Sequence, residues 1–477
     1  MNNTSTNSIL PPTILLIPFV ASSVFYVILG FNTDVYQSNI GAQNFLSYLI
    51  LISLSLIIFH KPIWGIASVV FFLPLKSVYP DFSNQIFSGI PLVTSFIVII
   101  GSLTVASTIV HLADKKLSKP RLSWHHFVAF MFVIWLGFSH FSSITSYVEG
   151  RIWFWTYIQL LGLMTLGSLI ITSNVSAKIF GYSLIAGALV SVIGGVITGG
   201  FEVSDQATFQ IRLAGLHGNP NEFAIMCIMS LICLNYFIPS VTNKLVTLLM
   251  FSAIPIMFFG LAFSISRTGL IAAILVAGIM LFFKFRIKVS NILVKSTPVA
   301  LFVLGFIILV SVLPSQYRDL WFGSIQREIS NRSGTTGVRL EIWRISINAI
   351  KEHPLTGIGA GRFKSYAENK WTLDENYQKR AVHNTYLGIT TEMGVVGFAI
   401  FSIFNLAILY GLLSYSKRKK IDHEKESISY MFFLILVVWA IFGLFGNGEY
   451  GKILWLTNGA ALGLINTPLV NSLKPKT

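Results

Sequence analysis

The chain has 477 residues, of which 54% are hydrophobic and 11% charged, and it carries a formal net charge of +15. Its mean hydropathy of +0.71 lies far outside the range of water-soluble globular proteins. This composition excludes a soluble enzyme and predicts an all-α, polytopic integral membrane protein in direct contact with the lipid bilayer.

Apolar runs of roughly 17 to 25 residues, the length that crosses a bilayer, follow one another along the chain. They occupy residues 13–30, 43–59, 63–79, 91–112, 125–143, 152–172, 179–199, 222–239, 245–264, 268–284, 297–313, 388–413, 428–446 and 453–469. Because some of these runs can be re-entrant or merged, we expect about 12 to 14 transmembrane helices.

Basic residues are concentrated in alternate loops, for example at 115–121, 284–295 and 417–420. Positive charge in short loops stays on the cytoplasmic side of a membrane. We therefore expect both termini in the cytoplasm, and the loops near 31–42, 80–90, 144–151, 200–221, 265–267, 314–387 and 447–452 on the opposite side. This excess of Lys and Arg in the cytoplasmic loops accounts for a good share of the net positive charge. We expect no nucleic-acid partner.

The longest polar segment divides the chain into three parts. Residues 1–313 would form transmembrane helices 1 to 11, residues 314–387 an extracytoplasmic catalytic loop with short helices, and residues 388–477 the C-terminal transmembrane helices. Between residues 314 and 385 there are eleven Lys and Arg against seven Asp and Glu. A basic surface close to lipid suits a phosphate-bearing ligand, although it could equally balance anionic lipid headgroups.

One part of this loop has the pattern of an amphipathic helix. Between residues 338 and 350 the apolar side chains at helical spacing are Leu340, Trp343, Ile347 and Ile350. This spacing predicts a helix along the membrane surface that ends before Pro354. Arg339, near the helix start, offers a planar guanidinium to a diphosphate, whereas Arg344 could bind ligand or extend to the lipid interface.

The glycines that follow this helix predict a turn. Gly357, Gly359 and Gly361 precede Arg362, but no buried strand comes before them, as a nucleotide-binding loop would require. We therefore expect a tight chain reversal before Arg362.

His383 is the strongest candidate for acid or base chemistry. An imidazole titrates near neutral pH, and this one lies where the polar loop returns to the membrane. Asn384 and Tyr386 could orient its ring or contact substrate. A single histidine can also have a purely structural role, and both interpretations stay open on sequence alone.

Two further polar segments are expected on the same side of the membrane. Residues 212–222 contain Arg212, Asn219 and Asn221 just before an apolar run, and residues 264–269 place Arg267 between two apolar runs. An arginine at such a junction is costly unless it has a partner, so we expect a ligand or a carboxylate beside it. The alternative is a hairpin turn whose arginine extends to the interface.

In these segments the sequence resembles the O-antigen ligase and O-antigen polymerase superfamily of bacterial membrane glycosyltransferases. The matching segments are Arg212, Gly215 and Asn219-Pro220-Asn221; Ser266-Arg267-Thr268-Gly269; Arg339 to Trp343; His353-Pro354-Leu355-Thr356-Gly357-Ile358-Gly359; His383-Asn384-Thr385-Tyr386-Leu387; and Glu392-Met393-Gly394-Val395-Val396-Gly397. They span about half of the chain, and the part before about residue 200 adds only hydropathy to the resemblance.

The resemblance implies a GT-C-like enzyme in the bacterial cytoplasmic membrane, with its active site on the periplasmic face. Such an enzyme transfers a glycan from undecaprenyl diphosphate to a lipid or glycan acceptor without metal or cofactor. His383 would be the base, and Arg267 and Arg339 would bind the diphosphate and stabilise its charge as it leaves, with inversion at the sugar carbon. Implied substrate contacts are Arg212, Asn219, Asn221, Arg344, Arg362, Asn384 and Tyr386. No Asp-x-Asp pair, the common metal-binding motif for nucleotide-sugar donors, occurs in the chain.

The pattern of the superfamily does not separate a ligase, which transfers to a lipid A core sugar, from a polymerase or a protein O-oligosaccharyltransferase, and we favour a ligase only slightly. A transporter of lipid-linked glycans is a different class, but transporters place ionisable residues at the midplane of the bilayer. Here the polar residues gather at one surface. A scaffold without chemistry would not account for the ordered set of motifs.

Overall fold

A computed structural model of the chain describes residues 40–78, 96–117, 122–141, 148–199, 201–203, 211–286, 335–368, 370, 381–417 and 423–467. Apart from turns and one short ribbon, these residues form helices. The helices are α1 (Ile40–His60), α2 (Ile63–Phe72), α3 (Phe96–Ala113), α4 (Trp124–Phe141), α5 (Val148–Ile170), α6 (Asn174–Ile197), α7 (Pro220–Phe237), α8 (Lys244–Phe263), α9 (Arg267–Arg286), α10 (Thr335–Glu352), α11 (Phe363–Glu368), α12 (Thr385–Ser416), α13 (His423–Gly443) and α14 (Lys452–Asn466).

Short elements extend or join these helices. A 3-10 turn at Leu73–Val78 continues α2, and another at Ile238–Ser240 continues α7. Strands β1 (Phe201–Val203) and β2 (Ile211–Leu213) form an antiparallel pair in which Glu202 lies opposite Arg212.

The prediction of an all-α polytopic membrane protein is confirmed. Within the described ranges, seven helices are long and apolar enough to cross a bilayer, namely α4 to α8, α12 and α13, and shorter apolar helices lie in α1, α2, α3 and α9. Each predicted apolar run from 43 to 284 and from 388 onward coincides with a helix. The runs at 13–30 and 297–313, and both termini, lie outside the described residues.

Glycines allow the central helices to approach closely. In α14, a side chain at Gly459 would meet the Met164 carbonyl oxygen at 2.2 Å, and one at Gly463 would meet the Ile171 carbonyl oxygen at 2.2 Å. Small residues let helix backbones pack directly in a lipid environment. Trp455, fully buried beside these glycines, packs against aromatic rings of neighbouring helices. This packing fixes the position of α14, whose first residue adjoins the candidate site.

Contacts between helix ends mark two ends of the helix bundle. At one end, Lys178 of α6 pairs with Glu424 of α13, and His126 of α4 bonds Ser168 of α5 at 2.8 Å. At the other end, Ser139 of α4 donates to the carbonyl oxygen of Thr356 at 2.9 Å. We call this second end the loop end, because it adjoins residues 335–384.

Candidate functional site

The site is built around a break in α12. Gly394 adopts φ 68° and ψ −177°, a backbone conformation open only to glycine, and it interrupts the helix. The interruption frees backbone groups for the turn at 353–361: Ile358 N–H donates to Thr391 O at 3.0 Å and Gly359 N–H to Glu392 O at 2.9 Å. Two segments singled out by sequence, 353–359 and 392–397, therefore form one interlocked unit.

The glycine-rich turn has the conformation that its sequence predicts. Gly357, Gly359 and Gly361 all have positive φ, between 70° and 101°. The carboxylate of Glu392 accepts the Gly361 N–H at 3.0 Å and the Phe363 N–H at 3.4 Å, so it caps the turn and the start of α11. The expected tight chain reversal is present.

Arg362 follows the glycine-rich turn and lies against α4. Its side chain is buried, and Nη2 approaches the backbone oxygen of His140 in α4 at 3.5 Å. The guanidinium is thus directed into the contact between α4 and the loop.

His383 sits at the end of the loop in a constrained backbone conformation. Its φ is 55°, in the left-handed region that non-glycine residues seldom occupy. The Asn447 side-chain oxygen accepts the His383 N–H at 3.0 Å. The neighbouring candidates, Asn384 and Tyr386, both bind other parts of the fold. Asn384 caps α12 by accepting the Leu387 N–H at 3.0 Å, and the Tyr386 hydroxyl donates to Ala440 O of α13 at 2.7 Å.

α10 packs against Val382, the residue before His383. The Trp343 indole donates to Val382 O at 3.2 Å, and Val338 shares a small buried cluster with Val382. Because Arg339 follows Val338 and His383 follows Val382, these two candidates flank one contact between α10 and the loop. The helix predicted from sequence is thus present. Its packed face is formed by Val338, Ile342, Ile345 and Ala349, whereas Leu340 and Ile347 are exposed.

Arg344 lies on the outer surface of α10. Its guanidinium donates two hydrogen bonds to Glu341, at 2.8 and 2.5 Å, and about half of its side chain is exposed. It borders a shallow groove with Asn348, Lys351 and Lys370.

A cavity of about 360 Å³ opens beside Val382, the residue before His383. Its lining includes Ala381 and Val382 from the loop, Glu392, Lys364, and Asn447, Glu449 and Tyr450 from the turn before α14. Trp153 of α5 stacks on Tyr450 with a centroid distance of 4.0 Å and forms an aromatic wall. An enclosed cavity lined by aromatic side chains and a few polar groups has the features of a small-molecule binding site.

Glu449 is the residue in this cavity that sequence analysis missed. It is 3% exposed, and Thr385 Oγ1 donates to its Oε2 at 2.5 Å. Burial raises the pKa of its carboxyl to about 7, against the lowering effect of the Thr385 hydrogen bond. A glutamate in a short turn resembles any solvated acid in sequence. The nearest signal was its position in 447–452, a loop expected on the same side as His383.

A second group of candidates surrounds the start of α9. Arg212 Nε donates to Ser264 O at 2.8 Å and its Nη2 donates to Asn221 Oδ1 at 2.9 Å. Ser266 Oγ donates to the same Asn221 oxygen at 2.8 Å. This network fixes the turn that precedes Arg267, the first residue of α9.

Asn219 caps α7 by accepting the N–H groups of Asn221 and Glu222.

The turn of residues 444–451 links the two groups. At Glu449 it contacts the group around His383, and Lys452, which follows it, interacts electrostatically with Glu222 at the start of α7.

Among the described residues, no set of three His, Cys, Asp or Glu side chains could hold a metal ion.

Comparisons with known proteins bear on this same region. Residues 252–402 match the sequence model of a family described as O-antigen ligase, a stretch that contains Arg267, Arg339, His383 and Glu392. An uncharacterised protein of Haemophilus influenzae (strain ATCC 51907 / DSM 11121 / KW20 / Rd) is 25% identical over 222 residues, which is 44% of this chain and 53% of the relative. The matched part thus spans about half the length of that relative.

Proposed function

We propose that this chain, whose residues 252–402 match the O-antigen ligase family, transfers a glycan from undecaprenyl diphosphate to an acceptor hydroxyl at the loop end. The observation that carries the proposal is the position of His383. It follows Val382, which lines the 360 Å³ cavity and accepts a hydrogen bond from Trp343 of α10, the helix that carries Arg339. A base next to a residue of a cavity wall and to an arginine-bearing helix suits this reaction.

The proposed reaction is a direct displacement. The His383 imidazole takes the proton from the acceptor hydroxyl, whose oxygen attacks the anomeric carbon of the donor glycan. The bond from that carbon to the diphosphate oxygen breaks, and its electron pair leaves with the lipid diphosphate. One bond is made as one is broken on the opposite face, so the product is inverted.

The arginines stabilise the leaving diphosphate. Arg339 lies on α10, which packs against Val382, and Arg267 lies at the start of α9 after the turn fixed by Arg212, Asn221 and Ser266. A guanidinium binds phosphate oxygens through two parallel hydrogen bonds, and its charge offsets the negative charge that develops as the bond breaks. Arg212 acts by holding this turn in place.

The cavity receives the acceptor sugar in this proposal. Tyr450 and Trp153 provide a flat apolar surface for a sugar ring, and Glu449 accepts hydrogen bonds from its hydroxyl groups. We favour transfer of a complete glycan to a lipid A core sugar. A polymerase of the same superfamily would use the same residues with a growing glycan as the acceptor.

A complementation experiment tests the proposal. The gene is deleted in its host and restored as wild type or His383→Ala, with His353→Ala as the matched control because that histidine is exposed in the same loop. Arg339→Ala is paired with Lys351→Ala on the same helix. Surface polysaccharide is then resolved by size and by lipid attachment at equal protein levels.

The outcomes separate the candidate functions. Complete chains that remain on the lipid carrier in the deletion and in His383→Ala indicate a ligase, and single repeat units on the acceptor indicate a polymerase. Both controls should restore the wild-type pattern. An unchanged glycan pattern in the deletion strain contradicts both functions, and rescue by His383→Ala removes this residue from the mechanism.

A further inference from the structure

The hydroxyl of Thr385 carries one proton but lies within hydrogen-bond distance of two acceptor oxygens. Its Oγ1 is 3.0 Å from Gly446 O and 2.5 Å from Glu449 Oε2. The same Oγ1 accepts the Gly448 N–H at 2.7 Å. A hydroxyl donates one hydrogen bond and accepts up to two. Thr385 therefore donates to Gly446 or to Glu449, but not fully to both.

The protonation state of Glu449 decides which oxygen receives this proton. An ionised carboxyl can only accept, so Thr385 then donates to Glu449, and Gly446 O loses this donor. A protonated carboxyl instead donates to Thr385 Oγ1, which leaves the Thr385 proton for Gly446 O. All three short contacts of Oγ1 are full hydrogen bonds in the protonated form, and we call this arrangement the Thr385 network.

The surroundings of Glu449 favour the protonated form. Glu449 and Thr385 are each 3% exposed. Among the described residues, the groups that act on the Glu449 carboxyl are Thr385, a backbone N–H and Tyr450, and none of them is a cation. A buried carboxylate without a counter-charge is costly. Burial accordingly raises the pKa of this carboxyl to about 7.

Other titratable groups come from the helices around this turn. Tyr157 of α5 packs edge-on against Tyr450 with a centroid distance of 5.6 Å. Glu392 of α12 and Lys364 of α11 line the same cavity as Glu449. The Glu392 carboxylate already accepts two backbone N–H groups of the loop, and Lys364 is exposed, so solvent screens its charge. These groups therefore place no buried positive charge beside Glu449.

The turn that Thr385 binds also supports His383. Gly446 and Gly448 flank Asn447, whose side-chain oxygen accepts the His383 N–H at 3.0 Å. His383 has a φ of 55°, a conformation that persists only where surrounding contacts hold it. In the Thr385 network both of the flanking glycines are bonded to Thr385, whereas ionisation of the carboxyl releases Gly446.

We propose that Glu449 is a positioning residue for His383, because its protonated carboxyl completes the Thr385 network and thereby holds the turn that binds the His383 backbone. The proposal rests on the proposed function and extends it, since it adds a proton that must be present on one group while His383 is free to accept one. Glycan transfer then requires a protonated Glu449 as well as an unprotonated His383.

The pH profile of kcat tests this role. Glycan transfer is measured with the purified full-length protein in nanodiscs, with an undecaprenyl-diphosphate-linked glycan as donor and a lipid A core acceptor, both at saturation. We expect the wild-type kcat to fall several-fold between about pH 6.5 and 8.5, as Glu449 loses its proton. Glu449→Gln offers an amide donor to Thr385 at every pH, so this fall should be absent in that variant.

Substitutions of Thr385 test the network from its other side. Thr385→Val removes the hydroxyl, so we expect a lower kcat below pH 7 and no fall above it, whereas Thr385→Ser should retain the wild-type profile. The matched control is Thr390→Val in the same helix, whose hydroxyl donates to the carbonyl oxygen of Tyr386. Glu368→Gln, an exposed carboxyl change in α11, is the control for Glu449→Gln. Both controls should keep the wild-type profile.

An infrared difference spectrum between the wild type and Glu449→Gln reports the proton without any need for activity. We expect a carboxylic acid C=O band below about pH 6 that disappears as pH rises through about 7. The absence of this band overturns the inference. The same fall in kcat in the wild type and in Glu449→Gln also overturns it, and leaves the proposed function intact. If the band titrates as expected but the wild type transfers no glycan, the proposed function fails, and the role of Glu449 in positioning a base fails with it.

Discussion

The hydroxyl of Thr385 donates a hydrogen bond of 2.5 Å to the buried carboxyl of Glu449. The same hydroxyl accepts the Gly448 N–H at 2.7 Å. Thr385 lies two residues after His383, and Asn447 accepts the His383 N–H. The turn before α14 therefore supports both the proposed base and a carboxyl in the adjoining cavity, which makes this turn a direct target for experiments.

The first prediction concerns Glu449 and pH. Burial raises the pKa of this carboxyl to about 7 in the folded protein, above its value in the unfolded chain. The folded state then holds the proton more tightly, so its contribution to stability is complete below the unfolded pKa and is lost as pH rises through about 7. The loss is on the order of 3 kcal/mol.

Thermal unfolding in detergent as a function of pH checks this effect. Glu449→Gln should flatten the fall in Tm between about pH 4.5 and 7, whereas Glu368→Gln, an exposed carboxyl change in α11, should keep the wild-type slope. Parallel curves for the wild type and Glu449→Gln would show that the pKa of this carboxyl is the same in the folded and the unfolded chain.

The second prediction concerns the support of His383. Asn447→Ala removes the acceptor that holds the His383 backbone at φ 55°, at a cost of about 1 kcal/mol for the lost hydrogen bond. We expect kcat for glycan transfer to fall several-fold with little change in KM, because the base loses its position and substrate contacts remain. Asn447→Asp retains an acceptor oxygen and should retain more activity. A rise in KM alone would instead indicate a substrate contact.

The third prediction concerns the break in α12. A side chain at Gly394 would meet the Leu355 carbonyl oxygen at 2.1 Å in a conformation closed to alanine. Gly394→Ala should therefore destabilise the protein by about 2 kcal/mol or more. Gly162→Ala in α5 is the control, because no atom lies within 4 Å of its added carbon. Equal Tm values for both variants would mean that the turn at 353–361 is not locked to α12.

The fourth prediction separates Arg344 from Arg339. Sequence analysis assigned both to the substrate, but Arg344 is exposed and bonded to Glu341. Exposed ion pairs contribute about 0 to 1 kcal/mol. We expect Arg344→Ala to change the Kd for undecaprenyl diphosphate less than twofold, and Arg339→Ala to raise it at least tenfold. Similar increases in Kd in the two variants would indicate that Arg344 also contacts the ligand.

Sequence periodicity predicted most of the fold because apolar runs of membrane length have few other structures available. It also placed α10 and the reversal at Gly357 to Gly361. It could not predict which motifs would pair, since the contact of Ile358 with Thr391 joins residues 33 apart through backbone atoms, which leave no side-chain signature. Glu449 was missed for a related reason: its significance comes from neighbours that only the fold brings near.

The interlock at Gly394 limits how this protein can be re-engineered. The backbone oxygens of Thr391 and Glu392 accept hydrogen bonds from the turn at Ile358 and Gly359, and Glu392 caps the same turn. A chimera that takes only residues 335–368 from a relative would lack the matching first half of α12 to which this segment binds. An exchange of substrate preference between relatives must therefore transfer that segment together with the first half of α12. The part of the chain that determines specificity then includes part of a membrane-spanning helix.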